Sequence, residues 1–258
     1  MTEIRIGTSG YSFQDWRGVF YPHNISNGEM LTFYAQRFTC AEINSTYYRI
    51  PHARVFQHMV NKTPGEFEFI VKVHAEVTHA RKNPDRSVAD LTTAIRPLME
   101  QDKFRGFLAQ FPYSFKNRFE SRKYLIHLSQ LTGDLPLFAE FRHSSWTTPP
   151  LYDFLKQHEI GYVDVDEPEL PNLVRPQQVT TTDTAYVRFH GRNELAWWDG
   201  DKGDRYDYLY TASELEQWKD DITGILDRVK KIYLFFNNCY HGQAALNALD
   251  MKALLPGE

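Results

Sequence analysis

The strongest constraint on this chain is a short pattern that recurs along it. An apolar, β-type run turns polar on one face, and only toward its C-terminal end. Leu137-Phe138-Ala139-Glu140-Phe141-Arg142 shows it most clearly. Alternation puts Leu137, Ala139 and Phe141 on one face and Phe138, Glu140 and Arg142 on the other. The pattern returns in Cys40 to Asn44, Phe67 to His74, Gly106 to Phe111, Gly161 to Asp166, Ala185 to His190 and Ile232 to Asn237, and Ile4 to Ser9 supplies a first strand. Helical spacing separates most of these runs, as in Val88, Leu91, Ile95, Leu98 and Met99 within residues 86–101. Further helices are expected over 29–38, 52–61 and 118–131, from Pro149-Pro150, and over 243–255. Thr211-Ala212-Ser213-Glu214 reads as a capping box. It opens a helix with Leu215, Trp218, Ile222, Ile225, Leu226 and Val229 on one stripe. Glu167 to Thr184 has no helical period and contains Pro168, Pro171 and Pro176, so a long loop is expected there.

Strands alternating with helices imply parallel βαβ units, and eight of them favour closure. The length of 258 residues suits one barrel domain over 1–258. The expected class is therefore α/β, a TIM (β/α)8-type barrel with a poorly helical connection between strands six and seven. An open doubly wound sheet is the alternative. On strands two to eight the outer faces read as apolar. The last inner residues read as Asn44, His74, Gln110, Arg142, Asp166, His190 and Asn237. All would lie at C-terminal strand ends, where barrel sites are built.

Several segments resemble the YecE-like family, domain of unknown function 72. They are Gly7-Thr8-Ser9-Gly10-Tyr11 with Asp15-Trp16-Arg17-Gly18, Glu42 to Tyr48, Glu140-Phe141-Arg142-His143 with Trp146, Arg188 to Arg192, and Phe236-Asn237-Asn238. The likeness runs over nearly the whole chain with motifs in order on most strands. It implies a TIM barrel and no particular activity.

Charged residues at the strand ends admit two readings. One is a buried ion-pair network filling the barrel; the other is a binding site. Buried pairs add little net stability over apolar packing, which favours the site. Glu140 and His190 are the expected catalytic pair, since an imidazole titrates near neutrality. Glu42, Asn44, Tyr48, Lys72, His74, Arg142, Trp146, Asp166, Arg188, Arg192, Asn237 and Asn238 are the expected substrate contacts. Four other histidines near strand ends, His74, His79, His143 and His241, more often serve as structural groups. Glu42, Glu140, Asp166 and His190 would suit Zn or Mn, yet no HExxH or short ligand cluster occurs, so no metal or cofactor is assigned.

The loops after strands seven and eight, Gly191-Arg192 and Asn237 to Gly242, suit an anion at a helix N-terminus. Gly7-Thr8-Ser9-Gly10 matches neither a P-loop nor a nucleophile elbow. Gln110 and His190 stand where a common barrel glycosidase carries carboxylates. Tyr11, Trp16, Tyr48, Tyr113, Trp146, Trp197 and Trp198 follow strands and offer flat faces for a sugar ring or base, or pack beneath loops. Residues 193–210 mix tryptophans with glycines and aspartates, as a cover over the mouth would.

The favoured function is an enzyme acting on a small anionic, ring-bearing substrate such as a sugar phosphate or nucleotide fragment. A non-catalytic ligand-binding barrel and a metal-dependent nucleic-acid-processing barrel are the alternatives. A net charge of −4 does not favour nucleic acid or an anionic membrane. The chain starts directly in a strand pattern, has no apolar run of membrane length, and carries only Cys40 and Cys239, with no CxxC. A cytoplasmic location is expected. The sequence carries no signal for the oligomeric state.

Overall fold

A computed structural model describes residues 2–198 and 203–255. Eight parallel strands form one sheet in the order β1-β8-β7-β6-β5-β4-β3-β2. They are β1 Glu3–Thr8, β2 Cys40–Ile43, β3 Glu68–Lys72, β4 Phe104–Gln110, β5 Leu137–Glu140, β6 Ile160–Asp166, β7 Thr184–Phe189 and β8 Lys231–Phe236. The seam between β1 and β2 almost closes the barrel. A bridge pairs Ser9 with Glu42, and Gly10 N donates to Glu42 O at 2.9 Å. Below that bridge the Tyr34 hydroxyl stands between the strands. It accepts from Thr8 N at 2.8 Å and donates to Cys40 O at 3.1 Å, so neither backbone group is orphaned. Gly7 is required at this seam, because a Cβ there would run into Cys40 O.

The outer layer contains α1 Met30–Tyr34, α2 Ala53–Asn61, α3 Pro84–Ala94, α4 Arg96–Glu100, α5 Phe119–Thr132, α6 Pro149–Gln157, α7 Ala212–Thr223 and α8 Gln243–Leu254. The helix expected over 86–101 is broken at Ile95, before Pro97, whose missing N–H cannot continue the ladder. The helix expected over 29–38 is a single short turn. The capping box at Thr211 forms with both of its bonds. Its helix stops at Thr223, so Ile225, Leu226 and Val229 belong to the return toward β8. Between β6 and β7 there is no helix, as the prolines led us to expect. No helix among the described residues is long and apolar enough to cross a membrane.

Strand β6 departs from the parity read in the sequence. Val163 and Val165 pair with Tyr186 and Arg188 and share their inward face, whereas Asp164 and Asp166 pair with Val187 and Phe189 and point outward. The cause lies in what covers β6. Every residue of this strand is buried, so alternation carries little signal. The connection outside it is loop, whose N–H groups need acceptors. Asp164 accepts from Gln177 N and Gln178 N, and Asp166 accepts from the indole of Trp218 on α7.

Inside the barrel the polar groups form two layers. At the N-terminal end Glu68 accepts from Arg105 Nε at 2.7 Å, Lys231 Nζ at 2.6 Å and Tyr233 Oη at 2.6 Å. Apolar rings fill the middle, with Phe138 edge-on to Tyr186 at 5.2 Å. A Cβ at Gly161 would collide with the Phe138 ring, so glycine makes room for it. Above them lies the second polar layer.

Candidate functional site

The second layer is built around Arg188. Its Nε and Nη2 donate to the two oxygens of Glu42, at 2.9 and 2.6 Å, and its Nη1 donates to Glu140 Oε2. Tyr186 Oη also donates to Glu42. All four side chains are buried, so the pairing must be nearly complete for the charges to be tolerated. Arg142 extends the network. Its Nε lies 2.7 Å from Glu140 Oε1, off line for a hydrogen bond, so that contact is Coulombic. Its Nη1 donates to Glu167 Oε2 at 2.7 Å, and its Nη2 contacts His190 Nε2 at 3.0 Å.

The electrostatics follow from this burial. Desolvation alone would raise the Glu140 carboxyl, but the Arg142 and Arg188 charges outweigh it and hold it well below the usual carboxylate range. Burial and the neighbouring Arg142 push His190 down to about 3. Burial lifts Glu167 to about 7 against the pull of Arg142. Burial and Arg188 bring Lys72 down to about 7, only partly countered by Glu140 and Glu42.

Above this floor, at the C-terminal strand ends, opens a cavity of about 520 Å³. Asn44, Lys72, Gln110, Arg142, Arg188 and Asn237 reach it from the strand ends of the barrel. Tyr47, Tyr48, Tyr113, Trp197, Trp198 and Tyr206 supply aromatic walls, with His79 and Arg205 between them. Trp197 lies beneath two guanidinium groups, 5.6 Å from Arg142 and 5.7 Å from Arg205. Lys72 Nζ donates to Gln110 Oε1 at 2.9 Å and sits 4.8 Å from the centre of the Tyr47 ring. Among the described residues, neither Lys72 nor Arg205 has a carboxylate within 4.0 Å.

Of the residues expected at the site, Asn44, Tyr48, Lys72, Arg142, Arg188 and Asn237 line the cavity. Glu42, Glu140 and His190 lie beneath the lining and are fully buried. The other five are elsewhere. His74 accepts from Glu76 N at 3.3 Å, outside the lining. Trp146 is buried between Phe115 and Phe141, 4.3 Å from the latter ring. Asn238 donates to Tyr208 O at 2.8 Å and Asn247 Oδ1 at 2.9 Å. Asp166 faces outward, as described above.

Arg192 follows Asp166 outward. Its Nε and Nη2 grip that carboxylate at 2.7 and 2.6 Å, while Nη1 reaches Glu214 of α7 at 3.0 Å. The expected anion site at Arg192 and the start of α8 is therefore not assembled. The turn into α8 already holds an internal carboxylate, with His241 N donating to Asp15 Oδ2 at 2.8 Å. The four groups considered for a metal are split as well, because Asp166 lies on the opposite strand face from Glu42, Glu140 and His190. Among the described residues no group of three or more His, Cys, Asp or Glu side chains is placed to hold a metal ion.

Sequence reasoning missed Glu167, Tyr47, Arg205 and Tyr206. Glu167 was one residue beyond a strand whose parity was inverted. Tyr47 sits in a turn directly after β2, and this position after a strand was its only signal. Asp199, Gly200 and Asp201 of the expected cover lie outside the described residues.

A family model described as protein of unknown function DUF72 matches residues 5–258. The UPF0759 protein YunF of Bacillus subtilis is 33% identical over 269 residues, covering 98% of this chain and 94% of that protein. The crystal structure of a DUF72 family protein from Thermotoga maritima is 43% identical, with a TM-score of 0.92 over 99% of this chain and 100% of that one. A DUF72 family protein from Enterococcus faecalis is 27% identical, with a TM-score of 0.88 over 99% of this chain and 96% of that one. A match that begins inside β1 and runs through all eight strands, joined to a relative of this identity along nearly the full length, means that the chain belongs to the DUF72 family.

Proposed function

We propose that the protein is an enzyme whose substrate is a small anion carrying a planar ring, bound in the cavity at the C-terminal barrel end, and that Lys72 is the group acting on it. One observation carries this reading. Lys72 and Arg205 both face an aromatic-lined cavity, and among the described residues neither has a carboxylate partner. Arg142 and Arg188 are already matched to Glu42, Glu140 and Glu167, so they contribute little free charge. Aromatic faces accept a sugar ring or a nucleobase. Glu140 and His190 take the role of supports. They hold Arg142 and Arg188 in place under the ligand rather than meeting it.

The reading is tested by a thermal-shift panel of sugar phosphates, nucleoside monophosphates and aromatic carboxylates, each beside its uncharged counterpart. The expected result is stabilisation by anionic, ring-bearing members, with affinity falling about ten- to a hundredfold in Arg205→Ala, the size of one charge-assisted contact. Equal stabilisation by the uncharged counterparts would overturn it. Mass spectrometry of the bound compound then separates an enzyme from a binding barrel: recovery of every bound compound unchanged supports the latter.

A further inference from the structure

Lys72 differs from the other sequestered lysines of the barrel. Lys103, at the opposite end, gives its ammonium to Thr63 O at 3.1 Å, Thr63 Oγ1 at 2.9 Å and Pro64 O. Lys231 is paired with Glu68 at 2.6 Å and Glu3 at 2.8 Å. Each meets several acceptors. Among the described residues the Lys72 Nζ has a single hydrogen bond, to the neutral Gln110 amide, and an aromatic face beside it. It projects from the end of β3, a rigid element, into the cavity. Burial and, after it, Arg188 disfavour a positive charge there, with Glu140 and Glu42 countering them only in part. The arrangement leaves about half of Lys72 as the free amine at pH 7, and a free amine is a nucleophile toward carbonyl carbon.

We propose that Lys72 forms an imine with the carbonyl group of an anionic aldehyde or ketone bound in the cavity. The inference rests on the ligand reading above and adds the functional group that the substrate must carry. The Nζ lone pair attacks the carbonyl carbon, and the carbon–oxygen π bond opens onto oxygen. One proton passes from nitrogen to that oxygen, giving a carbinolamine. The hydroxyl then leaves as water with the second nitrogen proton while the C=N bond forms. No oxidant or reductant is consumed. Gln110 Oε1, accepting one N–H, holds the nitrogen at the cavity wall. The imine withdraws electrons from the adjacent carbon, so the chemistry open to the substrate is cleavage or proton transfer next to its carbonyl.

The test uses two related probes. Pyridoxal 5′-phosphate carries a ring, a phosphate and an aldehyde. Pyridoxine 5′-phosphate replaces the aldehyde with an alcohol and reports binding alone. The full-length protein is incubated with substoichiometric pyridoxal 5′-phosphate at pH 7, reduced with borohydride and mapped by peptide mass spectrometry. An ordinary lysine is only about 0.04% free amine at pH 7, whereas one near 7 is about half. Labelling at Lys72 is therefore expected to exceed the mean of the other lysines at least tenfold, and to vanish from that peptide in Lys72→Met. Circular dichroism of Lys72→Met confirms that it folds. Binding of pyridoxine 5′-phosphate together with labelling spread over surface lysines would overturn the imine and leave the ligand reading standing. No binding of pyridoxine 5′-phosphate would overturn the ligand reading, and Lys72 labelling would then still decide for or against the nucleophile.

Discussion

Arg142 Nη2 and Glu140 Oε1 both face His190 Nε2, at 3.0 and 3.2 Å. A neutral ring either accepts from the guanidinium there or donates to the carboxylate, but not both. Its Nδ1 lies 2.9 Å from the Asn237 amide, which meets either tautomer by turning its oxygen or its nitrogen to the ring. Burial and the Arg142 charge push His190 to about 3, so the ring is neutral in either tautomer. We expect the imidazole of His190 to show no titration between pH 8 and pH 5 in nitrogen-resolved NMR spectra. A titration midpoint for His190 near 6.5 would contradict the assignment and restore it as a proton carrier.

Arg192 and Asp166 make the second prediction. Asp166 is almost wholly buried, and two of its bonds come from Arg192. Arg192→Ala would leave this carboxylate with the Trp218 indole as its remaining side-chain donor. Removing one partner of a buried pair costs on the order of 3 kcal/mol, or more. For a chain of this size that is a fall in Tm of roughly 5–10 °C. Binding of an anionic ligand to the folded variant should be unchanged, because Arg192 does not face the cavity. A variant of wild-type stability with weakened anion binding would reverse both assignments.

The barrel was legible because its evidence is local. Leu137 to Arg142 shows its alternation within six residues, and the capping box at Thr211 needs only four. The site was legible where an inner face could be read by parity, which brought Asn44, Lys72, Arg142, Arg188 and Asn237 to the cavity. It failed at β6, where both faces are buried and the outer cover is a loop that needs acceptors. That single inversion exchanged Glu167 for Asp166 and carried Arg192 outward with it. Pairing was also illegible. Arg188 meets Glu42 across 146 positions of chain, and no local pattern reveals that the two charges consume each other.

Trp198 offers a direct view of the cavity. It is half exposed, lines the wall, and lies 5.1 Å from the Tyr113 ring, whereas Trp197 is buried against Arg142 and Arg205. A ring-bearing ligand stacked on this wall would exclude water from Trp198 and leave Trp197 dry as before. We expect saturating ligand to shift or quench tryptophan emission, and Trp198→Phe to remove most of that change. If Trp198→Phe retained the full signal, residues 193–198 would have no part in covering the ligand.

The pH dependence of binding supplies the last prediction, and its sign follows from two groups. Lys72, brought down to about 7 by burial and Arg188, is charged below that pH and neutral above it. Glu167, lifted to about 7 by burial, is neutral below and negative above. The other groups around the ligand hold still. Arg142, Arg188 and Arg205 are always protonated. His79, lowered to about 4 by burial and by Lys72, stays neutral through the window, as does His190. The floor therefore becomes more negative by about one and a half charges as the pH rises from 6 to 8. Affinity for an anion must fall over this interval. An aromatic sulfonate is the right probe, because its own charge does not change there, whereas a phosphate gains charge and would mask the slope. Isothermal titration should show about a tenfold loss of affinity from pH 6 to pH 8, the low end for one charge-assisted contact. In Lys72→Met most of that loss should disappear, with the remainder due to Glu167. Lys72 labelling by an aldehyde should run the opposite way and rise over the same interval. Affinity that is flat or rising between pH 6 and pH 8 would mean that Lys72 is an ordinary ammonium at neutral pH.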